Sequence, residues 1–153
     1  MRVVIDTSTI IRGLTRRYSE PAYIVDQVKI GNLILVMSNE MALELVIAVY
    51  NMCRKHNISD SHTKQYLRAV TTFVHSSERI DPKVNFSSCS DPDDAMFIEC
   101  AIDAKVPVCI SSDPSIFRIK DYCKNPDDLK LIQNIKFFRP QDFYNYITTD
   151  ASI

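Results

Sequence analysis

Residues 89–101, CSDPDDAMFIECA, set Asp91, Asp93 and Asp94 within four positions and then turn apolar. Two like unit charges about 4 Å apart repel by roughly 4 kcal/mol at an effective dielectric of about 20, so a fold that gathers them must supply an offset. A helix start supplies part of it. Asp91 suits an N-cap, Pro92 suits the first helical position, and Asp93 and Asp94 complement the helix dipole. Three more acids stand where chemistry could use them. Asp6 ends the apolar run RVVI, Asp113 follows VPVCISS, and Glu44 is the only charge in MALELVIAVY. Met41, Leu45 and Ala48 share the helical neighbourhood of Glu44, and no basic residue lies within a turn of it. Burying such a carboxylate costs several kcal/mol unless it is paired or binds a cation. Taken singly, Asp6 reads as a helix cap, Asp113 as a turn former with Pro114, and Glu44 as half of an ion pair. Taken jointly, Asp6, Glu44, Asp113 and the cluster Asp91, Asp93 and Asp94 read as oxygen donors for a hard divalent cation such as Mg²⁺. A carboxylate pair doing acid–base work would need no third or fourth acid.

Bringing those residues together requires elements in a particular order. RVVID reads as a strand buried on both faces. A helix follows through PAYIVDQVKIG, with Pro21 in its first turn and Gly31 at its C-terminal cap. LILVM reads as a second buried strand. Ser38 is then the N-cap of a helix running to about His56 and stopped by Asn57; it carries Glu44 about two turns in. SDSHTKQYLRAVTTFVHSS predicts a helix with Leu67, Val70, Phe73 and Val74 as its apolar stripe. ERID reads as a short strand, PKVNFSSCS as a loop, 92–105 as a helix and VPVCIS as a strand. Segment 118–134 yields no element beyond the turn NPDD. IKFF is a last strand, RPQDFYNYI a closing helix, and TTDASI a frayed tail. Strands alternating with helices predict a three-layer α/β/α sandwich on a mostly parallel sheet of about five strands. The expected domain spans 1–148, with 149–153 as the tail. Ligands of such sheets bind outside the carboxyl ends of the strands, where Asp6 and Asp113 fall.

Bulk properties narrow the classes. The chain has 153 residues, enough for one domain with a real core. A net charge of −1 gives no overall basic field to attract nucleic acid or an anionic membrane. Any such attraction must be local, and Arg12, Arg16 and Arg17, just past the Asp6 turn, are the candidate RNA-binding residues. Arg54, Lys55 and Arg118 follow them. With Gly13 and Gly31 the only glycines, neither a Walker loop nor a G-x-G-x-x-G turn can be written. Five scattered cysteines without a C-x-x-C predict reduced thiols in a cytoplasmic protein. The start, MRVVIDTSTII, is unlike a signal-peptide core, and no run approaches the roughly 18 apolar residues of a membrane span. His56, His62 and His75 form no zinc-binding spacing, and no G-x-S-x-G elbow marks a serine nucleophile.

With VVIDTSTII, SNEMALELVIAV, DPDDAMFIECAI, VPVCISSDPSIF and IKFFRPQDFYNYI in that order, the chain resembles a PIN domain of the VapC-like toxin type. The likeness runs from residue 1 to about 147. It implies an α/β/α sandwich, a metal-dependent endoribonuclease leaving a 5′-phosphate and a 3′-hydroxyl, and commonly a homodimer. It also implies an antitoxin protein as partner, beside the RNA substrate. Position by position, Asp6, Glu44, Asp94 and Asp113 match the family's acids. Ser8 stands where the family often has asparagine, and Ser8 and Asp91 are the expected outer partners of the ligands. Ser115 departs from the pattern, because many relatives place a further aspartate there.

Rival readings differ in class. A haloacid-dehalogenase-type phosphatase needs a second acid two residues after the first, where Ser8 stands. A phospho-receiver domain needs an aspartate after a middle strand. A non-catalytic PIN-like RNA-binding or adaptor module is the alternative that the departure at Ser115 keeps open.

Overall fold

The computed structural model describes residues 1–149. Its strands are β1 (Arg2–Ile5), β2 (Ile34–Ser38), β3 (Glu78–Ile80), β4 (Val108–Ile110) and β5 (Lys136–Phe138). Every neighbouring pair is parallel, in the order β3-β2-β1-β4-β5. The register sets Val3 beside Leu35 and Val108, and Ile5 beside Ile110. β1 is central, and its Val3, Val4 and Ile5 are fully buried. Both faces of the strand are covered, which is why its sequence runs apolar instead of alternating. Each such aliphatic side chain contributes about 1.5–3 kcal/mol of burial.

Helices α1 (Thr7–Thr15) and α2 (Glu20–Lys29) join β1 to β2, and α3 (Asn39–Lys55) and α4 (Asp60–His75) join β2 to β3. A 3-10 turn, Pro92–Asp94, and α5 (Ala95–Asp103) lead to β4. Then α6 (Pro114–Phe117), α7 (Ile119–Tyr122) and α8 (Pro126–Ile132) lead to β5, and α9 (Pro140–Thr149) follows it. Parallel crossovers are right-handed. The chain moves outward from β1 to β3 and then returns through β4 to β5, so the two sets of helices fall on opposite faces. Consistently, α2 packs on α1 and α9, whereas α5 lies on β1, β2 and β4 and touches α6 and α8. The expected three-layer sandwich is what forms.

Local chemistry accounts for the boundaries. Ser38 Oγ accepts the Met41 N–H at 3.1 Å, starting α3 where expected. Beyond α3 Asn57 takes φ 51°, a conformation asparagine tolerates better than most residues. Gly31, with φ 83°, closes α2.

Elsewhere the chain departs from its local pattern. The single helix expected after β1 is two, because Ser19 Oγ accepts the Ala22 N–H at 3.2 Å and restarts the helix. The helix expected over 92–105 opens with the 3-10 turn, and α5 stops at Asp103. The strand VPVCIS shortens to β4, since Pro107 offers no N–H to a ladder. Segment 118–134 is largely helical: α7 and α8 fill it, and α6 runs up to it. Asn125 Oδ1 caps α8 by accepting the Asp127 and Asp128 N–H groups at 2.9 and 3.2 Å, so the NPDD turn is a helix start. Each of these helices is too short to show an apolar period. Thr148 and Thr149 belong to α9; the remaining tail positions, 150–153, lie outside the described residues.

α1 crosses the first turn of α2 at Gly13. A Cβ there would stand 2.6 Å from the Pro21 carbonyl oxygen and collide with Val25 Cγ2. Gly13→Ala is therefore expected to cost about 1–3 kcal/mol of stability, read as a lower midpoint in urea denaturation. An unchanged midpoint would show that the two helices part freely.

Candidate active site

β1 pairs with β2 on one side and β4 on the other, so the direction of winding reverses between β1 and β4. Beyond the carboxyl ends of strands at such a point the departing loops separate and leave a crevice. Asp6 and the turn 111–113 lie there. The Asp6 N–H donates to the Ile110 carbonyl at 3.1 Å, and the Ser111 N–H to the Phe138 carbonyl at 3.0 Å. The backbone of both residues is thus held by the sheet itself.

Asp6 is 5% exposed and serves two purposes. Its Oδ1 accepts the Thr9 N–H at 2.9 Å, capping α1. Its Oδ2 accepts from Ser111 Oγ and, at 3.3 Å, from Ser8 Oγ. Ser111 in turn accepts the Asp113 N–H at 2.9 Å, tying the turn after β4 to the acid after β1. Asp113 is exposed, and its Oδ1 caps α6 by accepting the Ser115 N–H at 2.9 Å. The Ser115 hydroxyl donates to Asp94 Oδ2. Ser115 therefore bridges Asp113 and Asp94, and a hydroxyl donor stands where a further carboxylate was the family expectation. Asp91 is exposed and caps the 3-10 turn through the Asp93 N–H at 3.0 Å.

Glu44 reaches the same edge from α3. Burial pushes its carboxyl above the ordinary 4.5, a hydrogen bond with the Thr7 side chain opposes this, and the charges of Asp94, Asp6 and Asp93 raise it further. Burial likewise lifts Asp94 above its ordinary 3.8 against the Ser115 hydrogen bond, with Asp113, Asp91 and Asp6 adding to the rise. These mutual effects place the four acids in one electrostatic neighbourhood. Glu44 Oε2 is buried without a hydrogen-bond partner. The ion pairs found among the described residues, Arg2–Glu78, Lys29–Asp26, Lys83–Asp81 and Arg139–Asp142, leave all four acids out.

An orphaned buried carboxylate oxygen, shared repulsion and an all-oxygen donor set fit a hard divalent cation. Among the described residues no three or more His, Cys, Asp or Glu side chains stand close enough together to hold a metal ion as they are placed. The acids share an edge without making a ready-built cage.

Segment 118–134 has a part in this site. The Tyr122 hydroxyl donates to the Ser115 carbonyl and accepts the Ser90 N–H at 3.1 Å. Buried Asp128 accepts from the Ser87 and Ser88 hydroxyls. From α5, Glu99 Oε1 accepts the Phe86 N–H and Asp103 Oδ2 the Val84 N–H, each at 2.9 Å. The loop that delivers Asp91 and Asp94 is thus pinned along its length. Sequence reading missed Thr7, Ser111 and Tyr122; a hydroxyl beside each end of β1 and β4 was the available signal for the first two. Arg12 is half-buried with its Nη2 on Ser112 Oγ, while Arg16 and Arg17 are exposed past the end of α1. The five cysteines are free and buried, and burial raises the Cys89 and Cys109 thiols and pushes Cys100 up to about 12. None of these three is poised as a thiolate nucleophile at neutral pH.

The molecule is an all-parallel α/β domain with an acidic crevice at the reversal point of its sheet. The model of the PIN domain matches residues 2–115, and the chain belongs to the PIN-domain family, whose members are generally nucleases working with divalent metals. An uncharacterized protein of Methanocaldococcus jannaschii is 26% identical over 121 residues, covering 79% of this chain and 76% of that protein. Among solved structures, VapBC2 from Rickettsia felis bound to a DNA fragment from its promoter is similar at TM-score 0.53 and 14% identity, over 91% of this chain and 98% of that one. VapBC-1 from nontypeable Haemophilus influenzae is similar at TM-score 0.53 and 17% identity, over 92% and 99%. These two likenesses concern the fold.

The raised carboxyls fix the sign of a pH effect. A carboxyl with a folded pKa above its unfolded value binds more protons in the folded state, so stability falls as pH rises between those values. Without divalent metal, the protein is expected to lose stability as pH climbs from the ordinary values of 3.8 for Asp94 and 4.5 for Glu44 through their raised folded ones. Glu44→Gln and Asp94→Asn should flatten this slope in thermal melts across pH in chelator. Melting curves that keep the same slope in both variants would remove the electrostatic account.

Proposed function

We propose that the chain is a Mg²⁺- or Mn²⁺-dependent endoribonuclease, acting in the cytoplasm as the toxin of a toxin–antitoxin pair. The observation that carries the reading is the buried, partnerless Glu44 Oε2 among acids that no arginine or lysine neutralises. Asp6, Glu44, Asp94 and Asp113 would hold the metal, some through water. A divalent ion bound there supplies Lewis-acid polarisation of the phosphodiester and lowers the pKa of attacking water. The chain's own part is to hold the acids in place. Ser111 and Ser8 orient Asp6, Ser115 orients Asp94, and the pinned loop 83–91 keeps Asp94 opposite Asp6.

A protein partner is supported by a cleft of about 700 Å³ that runs from Glu44 and Asp93 along α3 and α5. Exposed Leu43 and Ile47, with Met96 and Phe86, line it beside Glu40 and Glu99. An apolar floor ringed by carboxylates suits an amphipathic, basic segment, as an antitoxin would offer. A homodimer belongs to the same reading by likeness to the family alone.

The test is cleavage of single-stranded RNA with Mg²⁺ or Mn²⁺. Asp6→Asn and Asp94→Asn are each expected to lower the rate by on the order of 100-fold or more, and chelator should abolish cleavage. Undiminished activity in both variants would remove the metal role. A non-catalytic RNA-binding or adaptor module is the second reading, favoured by the lack of a closed ligand group among the described residues. Calorimetry with Mn²⁺ separates the two: heat that disappears in Asp6→Asn supports the nuclease, and no heat supports the adaptor. Ser115→Asp, which restores the relatives' acid, is expected to strengthen that metal binding and to lower the stability of the metal-free protein.

A further inference from the structure

On the α1 side of Asp113 lies a smaller cavity of about 210 Å³ lined by two arginines and one glutamate. Arg12 enters it from α1 and Arg139 from the end of β5, and Ser112, the residue before Asp113, forms part of its wall. Pro21 in the first turn of α2, and Pro140 and Gln141 opening α9, complete the lining together with Glu20. Two ten-residue helices therefore begin at this cavity. Pro21 and Pro140 carry no N–H and Ser19 Oγ already takes the Ala22 N–H, so these starts contribute chiefly the positive ends of the helix dipoles.

Arg12 is half-buried and Arg139 exposed, and each keeps donors free. Arg12 Nη2 donates to Ser112 Oγ, while Arg12 Nε is buried without a hydrogen-bond partner. Arg139 is held by Asp142 through Nε at 2.7 Å and Nη2 at 3.2 Å, and its guanidinium carbon lies 5.8 Å from the Phe117 ring centroid. Its Nη1 lies outside that pair. The Ser112 hydroxyl, accepting from Arg12, keeps its own proton to donate. Unspent N–H donors on Arg12 and Arg139, the Ser112 hydroxyl and two helix dipoles converge on one small space and suit a tetrahedral anion. Glu20 in the lining and Asp142, paired with Arg139, are the carboxylates that oppose that anion.

We propose that this notch seats a backbone phosphate of the RNA, flanking the one attacked at the acids. The assignment rests on the nuclease reading and adds to it a place for the strand. Ser112 and Asp113 are consecutive, so a strand phosphate in the notch would hold the neighbouring phosphodiester at the acidic crevice. The notch also answers how an anionic polymer approaches an acidic site in a chain with a net charge of −1.

The test uses the full chain carrying Asp94→Asn to prevent cleavage, a mixed-sequence single-stranded RNA oligonucleotide, and binding measured by fluorescence anisotropy across a salt series in chelator. Arg12→Gln and Arg139→Gln are each expected to weaken binding about tenfold. Together they should reduce the slope of log affinity against log salt by about 0.7, the value for one phosphate contact on a single strand. Glu20→Gln should tighten binding, and Arg68→Gln, exposed on α4, should leave it unchanged. Arg139→Lys, which keeps the charge and loses the fork, should fall between parent and Arg139→Gln. Melting curves identify a variant that fails to fold, in which case the Glu20→Gln and Arg139→Lys arms decide. Parent-like affinity in both arginine variants, an equal loss in Arg68→Gln, or no RNA binding by the parent would overturn the notch. RNA held through the notch by a chain that cleaves nothing with Mg²⁺ or Mn²⁺ would leave it standing and remove the nuclease reading instead. Metal-dependent cleavage with no contribution from either arginine would do the reverse.

Discussion

Mutual repulsion among carboxylates at the carboxyl edge of β1 and β4 is the constraint to which the surrounding structure answers. Asp6, Asp94, Asp113 and Glu44 arrive from four separate segments, and burial of Glu44 and Asp94 makes their charges harder to hold. A basic side chain among them would have quieted the cluster and filled it. Hydroxyls stand there instead. Ser8, Ser111, Ser115 and Thr7 each donate to, or hydrogen-bond with, one of the acids. A hydrogen bond to a charged group is worth about 1.5–3 kcal/mol, against roughly 4 kcal/mol for one close like-charge pair. The offset is partial, and a net negative potential remains at this edge.

Holding such a cluster requires a frame that cannot relax away from it. Asp6 and Ser111 are fixed through backbone hydrogen bonds that continue the sheet ladder, so moving them would disturb β1 and β4 themselves. Asp94 has no strand behind it. Its loop is fastened by side chains: Asp103, Glu99, Tyr122 and Asp128 take over the pairing of a stretch that has no regular structure of its own. The short helices after β4, which carry Tyr122 and Asp128, thereby serve the site from a distance. Capping and site chemistry also coincide. Asp6 and Asp113 each engage one carboxylate oxygen at a helix start, which orients the other without neutralising it.

Charge is sorted around this centre in a way that net charge conceals. Arginines and helix starts gather on the α1–α2–α9 side, next to Ser112. Carboxylates and exposed leucine and isoleucine gather along α3 and α5.

Much of the architecture was legible along the chain. The apolar runs of β1 and β2, Ser38 as the start of α3 and Asn57 as its stop all follow from local chemistry. So does the sheet class, from the alternation of elements. Asp6 and Glu44 drew attention in the sequence because a charge at the end of an apolar run, or alone within one, is costly to bury. The break between α1 and α2, the shortness of β4 and the helices in 118–134 were not. A serine cap, a proline beside a ladder and helices of four to seven residues leave no periodic trace. The order of residue types along the chain determined the strands, the caps and which acids are expensive to bury. Tertiary structure alone decided that those acids share one edge of the sheet, that Ser111 and Ser115 hydrogen-bond to Asp6 and Asp94, and that Arg12 and Arg139 line one cavity. The reason is physical: local pattern encodes burial and hydrogen bonding near in sequence, whereas these meetings join segments tens of residues apart through the winding of the sheet.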